Sequence, residues 1–284
     1  MKIFILLACM LLAFLAVIAA DLPSKKEVRG AHGIVLPPPP PTQAKPVTDE
    51  VSGHKLTDPY RWLEDSKTPE TRSWIDAQMR YTQQYLSQVR IRPEIVKRLT
   101  ELEHVETVGI PVERSDTYFY NKRLPDENQA SIYIRKGLHG ADERLIDATR
   151  LSADQNTSVH INDVSKDAAL LVYGVREGGA DEQSVHLLDV ANRKELADVL
   201  PTARYGGASL TSDKQGLYYS KYGPAGTVVY YHQIGQPVDS DQLVFGKEFK
   251  GEALGQMELI NAQVTENGRY LIITVSHGVP AKRE

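Results

Sequence analysis

A turn followed by a β-rich run recurs four times along this chain at a nearly constant interval, and few folds are compatible with that. Arg114-Ser115-Asp116 precedes Tyr118-Phe119-Tyr120, and Ser165-Lys166-Asp167 precedes Leu170-Leu171-Val172-Tyr173. Ser212-Asp213-Lys214-Gln215-Gly216 precedes Leu217-Tyr218-Tyr219, and Glu266-Asn267-Gly268 precedes Tyr270-Leu271-Ile272-Ile273. From Asp116 to Asp167 to Asp213 to Asn267 the steps are 51, 46 and 54 residues. Three units carry a third strand, at Ile132-Tyr133-Ile134, Val185-His186-Leu187-Leu188 and Val228-Val229-Tyr230-Tyr231. A fourth follows at Leu145-Ile146, Glu195-Leu196 and Leu243-Val244-Phe245. Four short strands in a period near fifty residues predict the blades of a β-propeller. A β-sandwich has similar strands but does not repeat their order.

Ahead of the repeats the period is helical. Thr68-Pro69-Glu70 combines a cap, a first-turn proline and an acid, which predicts a helix running to about Val89 with Trp74, Ala77, Tyr81 and Tyr85 on one face. A second helix is expected from Pro93, with Ile95, Leu99 and Leu102 inward. Five consecutive prolines, Pro37 to Pro41, cannot join helix or sheet ladders, so residues 21–48 read as an extended, disordered spacer. Lys2 followed by the apolar residues 3–20, ending in Ala19-Ala20, predicts a secretory signal peptide over residues 1–20. A secreted or periplasmic destination follows, with no stable membrane span once the signal is cleaved. The apolar run is 18 residues, so an uncleaved anchor is the alternative. The division expected is thus 1–20 signal, 21–48 linker, 49–104 helical segment and 105–284 partial propeller.

The single cysteine, Cys9, lies in the signal, which excludes disulfides, thiol catalysis and cysteine zinc sites from the mature chain. A net charge of -4 with scattered Lys and Arg excludes a nucleic-acid partner. His32, His54, His104, His139, His160, His186, His232 and His277 show no metal-ligand spacing, and no glycine motif cradles phosphate, so neither metal nor cofactor is expected. His186 and His232 fall in third strands, where alternation can point them to solvent or into the sheet, and are assigned to a packing or surface role. The acidic pairs Asp181 and Glu182, and Glu101 and Glu103, read as solvated charge. No serine stands in a G-x-S-x-G elbow. The nearest, Ser209 after Gly206-Gly207-Ala208, enters a blade strand without an oxyanion hole, so no catalytic residue is assigned. Asn156-Thr157-Ser158 is a formal glycosylation sequon.

Asp58-Pro59-Tyr60-Arg61-Trp62-Leu63-Glu64-Asp65, followed by Thr68-Pro69-Glu70-Thr71 and a helix with Trp74-Ile75 and Tyr81, closely resembles the amino-terminal segment of the prolyl oligopeptidase family. The similarity continues through Glu127-Asn128-Gln129, Glu177-Gly178-Gly179, Leu196-Ala197-Asp198-Val199-Leu200-Pro201 and Glu266-Asn267-Gly268-Arg269-Tyr270, covering about residues 46–284. The resemblance implies a seven-bladed propeller acting as a lid over an α/β-hydrolase domain, whose Ser, Asp and His cleave short peptides after proline. It also implies that the helical segment packs on that hydrolase domain. At the second blade turn the family usually has Asp-Gly, whereas this chain has Asp167-Ala168, which places a side chain in a left-handed turn.

About three and a half blades fit into residues 105–284, since the fourth unit is expected to end after its second strand. Blades bury their faces against neighbours, so a partial ring leaves faces bare. The expectation is therefore a fragment of a serine peptidase that partners a missing hydrolase domain or chain. Short proline-containing peptides would be the substrates of the whole enzyme. The alternative is a non-catalytic binding module that completes its ring by dimerisation or with a separate chain.

Overall fold

The computed structural model describes residues 27–278 and 282–283. The expected signal peptide lies outside them. Among the described residues no helix is long and apolar enough to cross a membrane. The chain divides into two compact units between Glu101 and Leu102.

The first unit opens with a short antiparallel pair, β1 (Val28–Arg29) and β2 (Val35–Leu36), then a hairpin of β3 (Val47–Val51) and β4 (His54–Asp58). Helix α1 (Pro69–Leu86) starts where the sequence places it. Thr68 caps it by accepting the Thr71 N–H at 3.2 Å, Pro69 opens the first turn, and Glu70 faces the positive helix end. Thr71 is buried and its hydroxyl donates to the Trp62 carbonyl at 2.9 Å, tying the motif Asp58–Asp65 to the helix. Trp62 and Trp74 meet edge to face with centroids 6.5 Å apart. The proline run differs from the expected free spacer, because it lies along α1. Gln78 Nε2 donates to the Pro40 carbonyl at 3.0 Å, and the Tyr81 hydroxyl to the Pro37 carbonyl at 2.8 Å. Proline lacks an N–H but keeps its carbonyl, and the helix supplies the donors.

Helix α2 (Arg92–Glu103) forms as expected, but its apolar side does not point inward. Ile95, Leu99 and Leu102 are 48%, 54% and 53% exposed. Periodicity groups residues on a face, while burial requires a partner for that face.

The second unit is an arc of propeller blades. Blade one comprises β5 (Thr107–Val108), β6 (Val112–Arg114), β7 (Thr117–Arg123), β8 (Ser131–Lys136) and β9 (Glu143–Ile146). Blade two follows with β10 (Ser158–Val164), β11 (Leu170–Arg176), β12 (Gln183–Asp189) and the first part of β13 (Lys194–Leu210). The second part of β13 pairs with β14 (Gly216–Gly223) and begins blade three, completed by β15 (Gly226–Gln233) and β16 (Gln242–Phe245). One 17-residue strand thus serves as the outermost strand of one blade and the innermost of the next. A small hairpin, β17 (Glu248–Phe249) and β18 (Glu252–Ala253), precedes blade four, built from β19 (Glu258–Val264) and β20 (Leu271–His277). Contrary to the expected stop after two strands, β21 (Lys282–Arg283) pairs with β20 and begins a third.

The core lies between blades. Phe119, Ile132 and Ile134 of blade one meet Leu171, Tyr173 and Leu188 of blade two. Leu170, Val172 and Leu187, on the opposite face of blade two, meet Ala208, Leu210 and Leu217 of blade three. Both faces of β11 are therefore buried, which is why its sequence is continuously apolar. In blade four Ile260, Ala262 and Val275 face blade three, whereas Leu259 and Ile272 on the other face are 53% and 55% exposed.

Three of the four turns share one device, and the first differs. Ala168, Lys214 and Gly268 have φ of +60°, +60° and +68°, whereas in the first turn Ser115 and Asp116 are both left-handed, at +48° and +58°. Ser165, Thr211 and Thr265 accept the N–H of Leu170, Gly216 and Tyr270 and donate to Asp167, Asp213 and Asn267. The left-handed conformation inferred for Ala168 is present.

Candidate functional site

Strands β10, β13 and β19, the turns that follow them and Arg114 at the end of β6 line a half-open cavity of about 380 Å³. Its wall is stitched from blade to blade. Asp163 Oδ2 accepts the Leu210 N–H at 2.8 Å and the Ser209 hydroxyl at 3.3 Å, and Ser209 Oγ accepts the Val264 N–H at 3.1 Å. Burial raises the Asp163 pKa above the usual carboxylate value, against the opposing pull of these N–H donors. Arg114 donates from Nε to the Val164 carbonyl at 3.1 Å, and its Nη2 lies 3.7 Å from Glu266 Oε2. Blades one and four are not neighbours, so this pair bridges across the arc. Asn162 Nδ2 lines the cavity, buried and without a protein acceptor. With Asn261 and Gln263 it presents neutral amides suited to peptide-like groups.

Ser209 thus links blade two to blade four through its hydroxyl. His232 is fully buried, with Nδ1 2.7 Å from Asp241 Oδ1 and Nε2 3.1 Å from Asp198 Oδ1. Asp241 also accepts the Tyr219 hydroxyl at 2.7 Å, and Asp198 the Gly235 N–H. This network joins the outer strand of blade two to blade three. Asp181 and Glu182 pair with Arg204 at the surface, and Glu101 and Glu103 with Arg98 and Arg123. Asn156 is exposed and bonded to Asp154.

Sequence reasoning missed one constellation. Ser184 Oγ lies 2.9 Å from His186 Nε2, and His186 Nδ1 lies 4.0 Å from Glu195 Oε2. Residues two apart on a strand share a face, and this was the available signal. The arrangement has a serine and a base but not the remainder of a triad. The carboxylate is beyond hydrogen-bond distance, His186 Nδ1 is unpartnered, and β12 N–H groups are committed to the ladders with β11 and β13. His186 instead stacks on Tyr173 at 5.4 Å, and burial lowers its pKa below the usual imidazole value. Burial and Glu195 push the Tyr173 phenol well upward.

A four-stranded blade repeat, a capped helix fixed to the Asp58–Asp65 motif and an inter-blade cavity together define what the chain should match. Residues 39–283 match the family described as prolyl oligopeptidase, N-terminal beta-propeller domain. The chain belongs to the prolyl oligopeptidase family. A prolyl endopeptidase of Elizabethkingia miricola is 31% identical over 243 residues, which is 81% of this chain and 33% of that protein. A prolyl endopeptidase of Elizabethkingia meningoseptica is 29% identical over 249 residues, 84% of this chain and 34% of its own. A solved prolyl endopeptidase structure superposes with a TM-score of 0.69 at 27% identity, covering 83% of this chain and 36% of that one. Prolyl oligopeptidase B of Galerina marginata, at 17% identity and a TM-score of 0.63, shows the same fold over 86% of this chain and 41% of its own. The chain thus spans about a third of the length of the curated relatives it matches.

Proposed function

We propose that this chain is the amino-terminal, propeller-bearing portion of a prolyl oligopeptidase-type serine peptidase. An α/β-hydrolase portion, in the same or a second chain, would supply the nucleophile for cleaving short peptides after proline. The observation that carries this reading is the commitment of the cavity-wall serine, Ser209, to inter-blade hydrogen bonds. The wall is built to shape a passage rather than to react. Its amide lining, Asn162, Asn261 and Gln263, fits a role in limiting entry to narrow peptides. The exposed apolar side of α2, Ile95, Leu99 and Leu102, supplies a face for the hydrolase portion. Export to the periplasm or medium, directed by residues 1–20, belongs to the same proposal.

Complementation tests it. Residues 21–284 mixed with the separately produced hydrolase portion of the Elizabethkingia miricola relative should cleave a proline-containing fluorogenic peptide above the rate of either part alone. Equal rates for the mixture and the hydrolase portion would contradict the proposal. Exposed Leu259 and Ile272 also favour a second reading, in which two copies complete a ring. Sedimentation of a purely monomeric chain at tens of micromolar would remove it.

A further inference from the structure

Helix α1 meets the proline run with an ordered set of donors. Trp74, Gln78 and Tyr81 stand at steps of four and three and so share one face of α1. Their donors reach Thr42 Oγ1 at 3.0 Å, the Pro40 carbonyl at 3.0 Å and the Pro37 carbonyl at 2.8 Å. Trp62 Nε1 adds a bond to the Gln43 carbonyl at 2.9 Å. Five prolines favour a polyproline-II helix of three residues per turn. Pro37 and Pro40 are one turn apart, so both carbonyls face the same side, toward α1. The contacts run antiparallel, with rising helix numbers meeting falling strap numbers. Aromatic rings and N–H or O–H donors reading the carbonyls of a preformed, low-entropy helix are the chemistry by which proline-rich ligands are recognised.

The strap is held on one side only. Pro37, Pro39 and Pro41 are exposed while Pro38 and Pro40 are half-buried, and a cavity of about 520 Å³ lies beside the run, lined by it and by Ala77, Arg80, Tyr81 and Gln84. Its ends are pinned by buried Leu36 and by Lys45, which pairs with Glu70 at 2.7 Å. The prolines themselves contribute carbonyls and ring contact, both of which another proline-rich chain can reproduce.

We propose that the α1 face bearing Trp74, Gln78 and Tyr81 is a polyproline-II recognition groove, filled in cis by Pro37–Pro41, that takes a proline-rich extended peptide in trans when the strap releases. A short tether holds the strap at an effective concentration of about millimolar, so an outside peptide competes poorly until the cis ligand is weakened.

The two tryptophans of the chain, Trp62 and Trp74, both contact the strap segment and report on it by fluorescence. The full chain carrying Pro37→Ser, Pro38→Gly, Pro39→Ser, Pro40→Gly and Pro41→Ser should show tryptophan emission shifted to longer wavelength. A synthetic peptide of residues 34–45 should reverse that shift saturably and bind this variant at least tenfold more tightly than the unsubstituted chain. The same peptide with serine and glycine for its prolines should have no effect. Gln78→Ala and Tyr81→Phe, each in the strap variant, should weaken the peptide about five- to tenfold, as expected for loss of one hydrogen bond. Equal binding of both peptides, equal binding by variant and parent, or no saturable binding to a variant with parental circular dichroism would overturn the proposal. If the strap variant fails to fold, Gln78→Ala with Tyr81→Phe in the otherwise unchanged chain serves instead. It should shift the tryptophan emission with circular dichroism intact, and unchanged emission would equally refute the groove.

Discussion

Replacing His232 by leucine tests how blades two and three are joined. The imidazole is fully buried between Asp198 and Asp241, whose side chains are 5% and 4% exposed. Both ring nitrogens face a carboxylate oxygen, at 3.1 and 2.7 Å, so the ring is the hydrogen-bonding partner common to two acids. Leucine fills a similar volume but leaves both carboxylates facing each other in a dry site. Removing one partner of a buried charged set costs about 3–5 kcal/mol. For a unit of this size each kcal/mol lowers Tm by about 2–4 °C, so His232→Leu should lower it by roughly 6–20 °C. The triple variant His232→Leu, Asp198→Asn, Asp241→Asn removes the formal charges and should recover about 2 kcal/mol or more of that loss. Urea unfolding followed by circular dichroism measures both, with a common m-value as the check that the unfolded states are comparable. A single variant within about 1 kcal/mol of the parent, or a triple variant less stable than the single, would refute the argument that the ring compensates buried acids.

The blade turns give a pair of opposite substitutions. Ala168→Gly should raise stability by about 0.5–1 kcal/mol, since relief of a left-handed residue outweighs the added freedom of the unfolded chain. Gly268→Ala should lower it by about 2 kcal/mol, because a Cβ there would sit 2.4 Å from Ser212 Oγ at a φ of +68°. Ser212→Gly should restore part of that loss, and urea midpoints read all three. Acid should destabilise the propeller from about pH 6.5 downward. Burial depresses the pKa of His160 and His186, with Arg176 adding to the effect at His160. Below the unfolded value of about 6.5 the unfolded chain therefore binds protons that the folded one does not. Their stabilisation is complete above that pH and is lost as pH falls toward the folded values. Asp163, with its raised pKa, acts in the opposite sense at lower pH. Urea midpoints that stay level or rise from pH 7.5 to 5.5 would contradict this. Tyr219→Phe should cost about 1 kcal/mol by removing the donor to Asp241, measured in the same way.

Local devices were legible in the sequence and distant pairings were not. The Ser165-Lys166-Asp167-Ala168 turn could be read because its cap and its left-handed residue lie within six positions. The Thr68-Pro69-Glu70 helix start could be read for the same reason. The single strand β13 was invisible as one element, because its halves pair with different sheets and its apolar pattern follows two partners. His232 is fully buried, yet its partner Asp198 lies 34 residues away and carries no local signature. The proline run looked like a spacer because prolines forbid ladders. Its carbonyls found donors 38 and 44 residues further along the chain, which no window of sequence displays. The apolar side of α2 shows the converse, since its periodicity is correct and its burial requires a partner surface.

The proposed function requires that the described serines, Ser209 foremost, serve the propeller's structure and do not attack peptides. A serine-directed fluorophosphonate, incubated in excess with the folded protein and followed by intact-mass measurement, tests it most directly. The account predicts an unmodified mass, because Ser209 is bonded between Asp163 and Val264 and Ser184 has no oxyanion hole. A stoichiometric adduct mapped to Ser184, Ser209 or any other serine would show that the nucleophile lies within these residues and that the chain is itself a hydrolase.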